Sequence, residues 1–180
     1  MIDSNEINNN IEQIYEDNFQ DVYRFLICFL GNRNEAEDLA QEVFIRILKY
    51  SSRYNYKSKL STWILSIAKH VAIDHVRRKK FTSLFKHNFF SEIPDQKNIP
   101  DQLIFDMESK KVIQAAISSL KSQHRAVVIL RGINELSIRE TAEVLNCSVS
   151  KVKVDYHRAL KILRRKLYPS KEEVFGDANG

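Results

Sequence analysis

Four glycines and three prolines in 180 residues are too few for the many tight turns of an all-β fold, and they favour long helices with few joints. Cysteine is as scarce. Cys28 and Cys147 stand far apart in unlike contexts, so they suggest neither a disulfide framework nor a metal site, and both are expected to be reduced. Long apolar runs are missing too: the longest, Phe25–Leu30, falls far short of the ~18 residues of a membrane span. The acidic, Asn-rich start lacks the basic segment of a signal peptide, so the chain is expected in the cytoplasm with no membrane insertion. A hydrophobic content of 43% excludes disorder throughout and suffices for one domain or two small ones.

The residues that carry catalysis are also wanting. His70 and His75 are five apart rather than the four that would set two ligands on one helix face, and His87, His124 and His157 are isolated. There is no Gly-rich phosphate loop and no Ser-His-Asp set. The expectation is a protein that is not an enzyme and uses no cofactor or metal.

What is present is charge, unevenly shared. Residues 1–42 hold ten acids against Arg24 and Arg33, a net of −8, so a chain of total charge +5 carries +13 on the remainder. An acidic surface for a basic protein and basic surfaces for nucleic acid fit that division, as do ordinary solvated helix faces.

Apolar spacing of three and four predicts helices over 11–30, with Gly31 as a stop, and from Asn32 or Asn34 to about Tyr50, with Leu39, Val43, Phe44, Ile47 and Leu48 on one side. A polar loop, 51–59, holds two tyrosines. The third helix has Leu60, Ile64, Ile67, Ala68 and Val71 as its core stripe and closes in Arg77–Lys80. Period is then lost until Ile104, beyond which Ile113, Ala116, Ile117, Leu120, Val127, Val128 and Leu130 resume it up to Gly132. Two further helices are read at about 137–146 and 149–167. The prediction is an all-α chain: one domain over 8–82, a flexible linker over 83–103, a helix-turn-helix domain over 104–168 and a tail over 169–180.

The sharpest local signal runs from Leu136 to Lys161. Ser137 and Glu140 form a capping box, Asn146 tolerates the left-handed conformation of a tight turn, and Ser148 is an N-cap for the last helix. Ala142, Asn146 and Val152 occupy the small, turn and anchor positions of a helix-turn-helix. The outer face is Ser150, Lys151, Val154, His157, Arg158 and Lys161, flanked by Lys153. Seven cations and only Asp155 between Val149 and Leu167 suit a helix in a major groove, although a helical hairpin with a solvated basic face has the same pattern. On the third helix, Trp63, Ser66, His70, Ile73 and Arg77 share a face rotated from the core, near Lys69 and Asp74 and next to the tyrosine loop. Rings that stack on bases, beside cations that hold a backbone, suit single-stranded nucleic acid, while a helix tryptophan also serves as core.

The segments NEAEDLAQEVFIRI, STWILSIAKHVAIDHVRRKK and SIRETAEVLNCSVSKVKVDYHRALKILRRKL, in this order and spacing, resemble the extracytoplasmic-function group of bacterial RNA polymerase sigma factors of the sigma-70 family, over about 10–168. The resemblance implies a sigma factor that binds core RNA polymerase and directs initiation at particular promoters. It implies that Glu37, Asp38, Leu39, Gln41, Glu42 and Phe44 match region 2.2, which docks on the β′ coiled coil. Trp63 to Lys80, with Lys69, His70, Asp74, Arg77 and Arg78, match regions 2.3 and 2.4, which open and read the −10 element of promoter DNA. The loop through Asn55, Tyr56 and Lys57 matches one that holds a flipped-out base. Ser150, Lys151, Lys153, Val154, His157, Arg158 and Lys161 fall in region 4.2, the −35 reader, and 108–133 in region 4.1, which contacts the β flap. A separate anti-sigma factor is the implied regulator. His70 stands where the family usually has Asn, Lys121 where Pro is common, and Ser150-Lys151 where Gly-Thr is common. A stand-alone dimeric helix-turn-helix repressor is the alternative, and an enzyme with an appended DNA-binding domain is a remoter one.

Overall fold

The structure, a computed structural model, describes residue 7, residues 10–85 and residues 107–168. Among these, seven α-helices and a short 3-10 turn make up two helical domains, with no strand. The expected linker and tail lie largely outside the described residues.

The first domain is built from α1 (Ile11–Leu30), α2 (Arg33–Tyr50) and α3 (Leu60–Phe85). Gly31 ends α1 in the left-handed conformation (φ 72°), a geometry that a residue without a Cβ adopts freely, and its N–H donates to Ile27 O. Of the two asparagines offered as caps for α2, Asn32 fills the position: its side chain accepts the Glu35 N–H at 3.0 Å. The 3-10 turn Ser51–Arg53 leads into the loop before α3. That helix runs to Phe85, past residue 83 where the linker was expected, because nothing between Arg77 and Phe85 is a proline or glycine.

The second domain comprises α4 (Met107–Ser118), α5 (Ser122–Gly132), α6 (Ile138–Leu145) and α7 (Val149–Leu167). The capping box is present in full: Glu140 N donates to Ser137 Oγ at 3.2 Å and Ser137 N to Glu140 Oε2 at 2.9 Å. Asn146 turns the chain at φ 50°, ψ 54°, and Ser148 Oγ accepts the Lys151 N–H at 3.2 Å. Ala142 and Val152 are both buried, as a close helix-turn-helix crossing requires.

The amphipathic stripes read from spacing are mostly inward. Leu48 is an exception, more than two-fifths exposed, and Tyr15 is half out while its ring still packs on Phe44 at 4.6 Å. Two stretches are not stripes at all. Phe25–Phe29 on α1 and Ala126–Leu130 on α5 are each buried at five successive positions, so neither has an outer face. The reason is that α1 packs against α2 and α3 on one side and against α4 and α5 on the other, so the two domains share one continuous core.

Three side chains of the second domain also donate to main-chain carbonyls of α1: Gln114 Nε2 to Cys28 O (3.1 Å), Arg125 Nη1 to Phe29 O (2.8 Å) and Asn134 Nδ2 to Asp21 O (2.9 Å). Cys28 and Phe29 lie in the last turn, where helix carbonyls lack an N–H partner of their own, so the second domain caps the first. The Arg125 guanidinium also sits 5.1 Å from the Phe29 ring centroid.

Phe29 therefore supports both domains. Phe29→Ala should cost about 3–5 kcal/mol, from lost burial plus a cavity that the surrounding helices fill only in part. Urea unfolding followed by circular dichroism reads this, and a loss under about 1 kcal/mol would contradict the shared core.

Candidate nucleic-acid interface

The residues expected to read a duplex share one solvent face of α7. Ser150, Lys151, Lys153, Val154, His157, Arg158 and Lys161 are all exposed, while Val152, Ala159 and Leu163 turn inward. Charge alone did not show what Asp155 does. This lone acid of the helix is only 5% exposed, and its Oδ2 accepts from Lys151 Nζ at 2.7 Å. Its Oδ1 lies 3.9 Å from His124 Nε2 on α5. The Lys151 ammonium is thus already held by a carboxylate along the helix, whereas Lys153, Arg158 and Lys161 project to solvent with no ion pair to a described residue.

The loop between α2 and α3 is shaped by its own polar groups. Asn55 Oδ1 accepts the Lys57 N–H (3.2 Å), Tyr54 Oη donates to Ser58 O (2.7 Å), and Tyr56 adopts a left-handed backbone (φ 59°). This places three rings together, Tyr54 at 4.5 Å from Tyr56 and 5.2 Å from Trp63. Tyr56 is the exposed member; Asn55 and Lys57 beside it are exposed too. Tyr54 is the half-buried link between loop and helix, a role that its place in the sequence did not reveal. Burial, and to a lesser degree Tyr56, raise its phenol above the ordinary pKa.

On α3 the expected strand-binding set divides. Arg77 and Arg78 are exposed, with Arg77 Nη2 at 3.4 Å from Asp74 Oδ1, and His70 is exposed. Lys69 is 6% exposed, lies within electrostatic reach of Cys147 in the turn after α6, and has its Nζ 3.0 Å from His70 Nε2. Burial pushes the Lys69 ammonium below the ordinary lysine range. His70 is lowered as well, by burial and then by the Lys69 charge.

The acidic helix α2 presents Glu37, Asp38 and Gln41 to solvent, with Glu42 partly covered. Arg33 Nε pairs with Glu37 at 2.7 Å and Arg46 Nη2 with Glu42 at 2.5 Å. Leu39 and Phe44, expected on the same face, are 7% and 6% exposed and belong to the core, because they fall on the inward stripe with Val43 and Ile47. Glu35 faces α3, where it receives Lys79 Nζ (2.6 Å) and His75 Nε2 (3.0 Å). Burial raises its pKa, but those bonds and charges outweigh that effect and hold it below the ordinary range. Both cysteines are free, and burial pushes the Cys28 thiol up to about 12. Among the described residues no three His, Cys, Asp or Glu side chains are grouped to hold a metal, and no helix is long and apolar enough to cross a membrane.

Residues 14–82 match the family model for Sigma-70 region 2, and residues 110–163 match that for Sigma-70, region 4. The ECF RNA polymerase sigma factor SigX of Bacillus subtilis (strain 168) is 40% identical, over 91% of this chain and 87% of its own. The chain belongs to the ECF sigma factors of the sigma-70 family. SigW of the same organism, also an ECF RNA polymerase sigma factor, is 34% identical over 88% of this chain and 87% of its own. The fold matches solved sigma factors: RpoE from Bartonella quintana, crystallised with the anti-sigma factor NepR, has a TM-score of 0.75 at 20% identity, over 90% of this chain and 99% of that one. CnrH in complex with the cytosolic domain of CnrY has a TM-score of 0.67 at 16% identity, over 91% of each chain. The protein is an alternative sigma factor directing promoter-specific transcription initiation, which displaces the reading as a stand-alone repressor. Sigma factors are non-enzymatic regulators.

The capping box of this sigma factor gives a pH test. Hydrogen bonds from Lys59 and then from the Ser137 hydroxyl and amide hold the Glu140 carboxyl at about 2, below the ordinary 4.5, against burial, which raises it. A carboxylate lowered on folding contributes stability that is complete above 4.5 and is lost as pH falls towards 2. The melting temperature of wild type should therefore exceed that of Glu140→Gln most at about pH 6, and the gap should close on acidification. A gap that does not vary with pH would contradict this.

Proposed function

We propose that this sigma factor is a non-catalytic specificity subunit with three working faces. Glu37, Asp38, Gln41 and Glu42 on α2 meet core RNA polymerase at the β′ coiled coil, with Leu39 and Phe44 fixing that helix from beneath. The second domain contacts the β flap through α4 and α5. The exposed side of α7 enters the −35 major groove of promoter DNA, where Lys153, Arg158 and Lys161 are cations able to reach base edges or phosphates. The rings of Tyr56 and Trp63, together with Asn55, Lys57, Lys69, His70, Asp74, Arg77 and Arg78, hold the unpaired −10 strand. An anti-sigma factor keeps the protein from polymerase until it is needed.

The observation that carries this reading is the ring cluster of Tyr54, Tyr56 and Trp63 at the start of a basic helix. A protein that only binds closed duplex gains nothing from it. An initiation factor must hold bases that have left the stack, and stacking on an aromatic ring is worth roughly 1–3 kcal/mol per base.

Tyr56→Ala should leave polymerase binding and −35 contact in place and cut open-complex formation about tenfold or more, as read by permanganate reactivity of unpaired thymines. Full reactivity in the variant would remove the loop from strand capture. Asp38→Lys should weaken association with core polymerase on an affinity column by at least tenfold, with melting nearly unaltered, because an exposed charge contributes little to stability. Wild-type retention of the variant would show that α2 is not the docking face.

A further inference from the structure

We propose that Asp155 is a specificity-determining positioning residue: from the buried side of α7 its carboxylate holds the Lys151 ammonium in place, so that this lysine donates to the major-groove edge of a guanine and not to phosphate. The proposal rests on the reading of α7 as the −35 reader.

Asp155 stands on the inward stripe of α7 with Val152, Ala159 and Leu163. A carboxylate there gives up its water, and an apolar side chain of similar volume in such a place is often no less stabilising. The pair is also in the weaker order for a helix, because a lysine four residues before an acid gains less than the reverse. Stability therefore does not account for it, and geometry does. Oδ2 accepts from Lys151 Nζ at 2.7 Å, while Oδ1 stands 3.9 Å from His124 Nε2 on α5. The carboxylate lies between the supporting helix and the lysine of the reading helix.

Lys151 is pinned twice. Its N–H donates to Ser148 Oγ at 3.2 Å and its ammonium to Asp155, yet its side chain stays 53% exposed. It is the third residue of α7, and the first residues of a recognition helix are those that meet base edges. An ammonium has three N–H groups. With one given to Asp155, two remain, as many as the O6 and N7 acceptors that guanine presents in the major groove. A side chain already held in one arrangement has less rotamer freedom to lose when it binds. Lys153, Arg158 and Lys161 have no such tether to a described residue, and their longer reach suits phosphates as well as bases.

The test uses the full chain assembled with core RNA polymerase and a promoter library randomised across the −35 element, with bound sequences counted against the input. Wild type is compared with Asp155→Asn, Lys151→Met, the two together, and Arg158→Ala. Asp155→Asn keeps the volume and removes the charge, and the half-exposed lysine then hydrates; circular dichroism confirms that the helices persist. The preference for a G·C pair at one −35 position should fall about tenfold in Asp155→Asn and in Lys151→Met, and the double variant should be no worse than Lys151→Met alone. On a single −35 duplex the salt slope of Asp155→Asn should steepen by about one, as the released ammonium turns to phosphate. Where a single variant does not fold, the double variant, which leaves neither charge unpaired, decides: it should lose the same preference, and keeping it would overturn the proposal. An Asp155→Asn that weakens all sequences alike, or that costs as much again in the Lys151→Met background, would overturn it too. If Arg158→Ala alters the preferences and no Asp155 or Lys151 variant does, Asp155 has no positioning role and α7 remains the reader. If no variant alters them, α7 is not the reader and the proposal falls with that reading.

Discussion

A helix that is apolar on every side must be enclosed, and the second half of α1 is such a helix. Phe25 to Phe29 have no solvent face, so α1 needs partners around its whole circumference. The first domain supplies α2 and α3, and the second supplies α4 and α5. The remaining features follow from this demand. The last-turn carbonyls of α1 are capped by side chains of the other domain, the long α3 is brought beside α6, and the acidic α2 is left on the outside, where its charges remain hydrated.

The two candidate DNA faces use the same cations for different tasks, and their surroundings set the difference. On α7 the charged residues stand on a regular helix with no Phe, Tyr or Trp on its exposed face, a surface made to lie along a groove. At the start of α3 the cations stand beside the Trp63 ring of the helix and two tyrosines on a loop that its own hydrogen bonds hold in shape. A groove reader needs a rigid rod. A strand reader needs flat apolar surfaces at the level of the bases, and only the second site has them.

Much of this was legible in the chain itself. Helical period, the capping box, Asn146 at the turn and Ser148 as a cap all stand where spacing put them, because each is a local rule that few residues decide. Leu39 and Phe44 show the limit of reading by segment: a motif names a stretch of sequence, but only the 3.6-residue period tells which members face inward. The run Phe25–Leu30 carried a signal that was used merely to exclude a membrane span; six successive apolar residues in a helix also mean burial on all sides. Lys59 and Gln114 were not legible, nor was the place of Asp155 beside His124. Their partners are set by how helices far apart in sequence come to lie together, and nothing in local composition encodes that.

Asp155 on the candidate DNA-facing helix has an electrolyte consequence. Binding of a lysine to DNA draws much of its free energy from small cations released when a phosphate charge is neutralised. Lys151 has a carboxylate of its own helix as a counterion, so its meeting with a phosphate neutralises less and releases less. In the thermodynamics of salt, α7 therefore behaves as a less charged rod than its lysines and arginines suggest. As a promoter reader, the proposed role of α7, it would depend correspondingly less on the ionic strength of the cell.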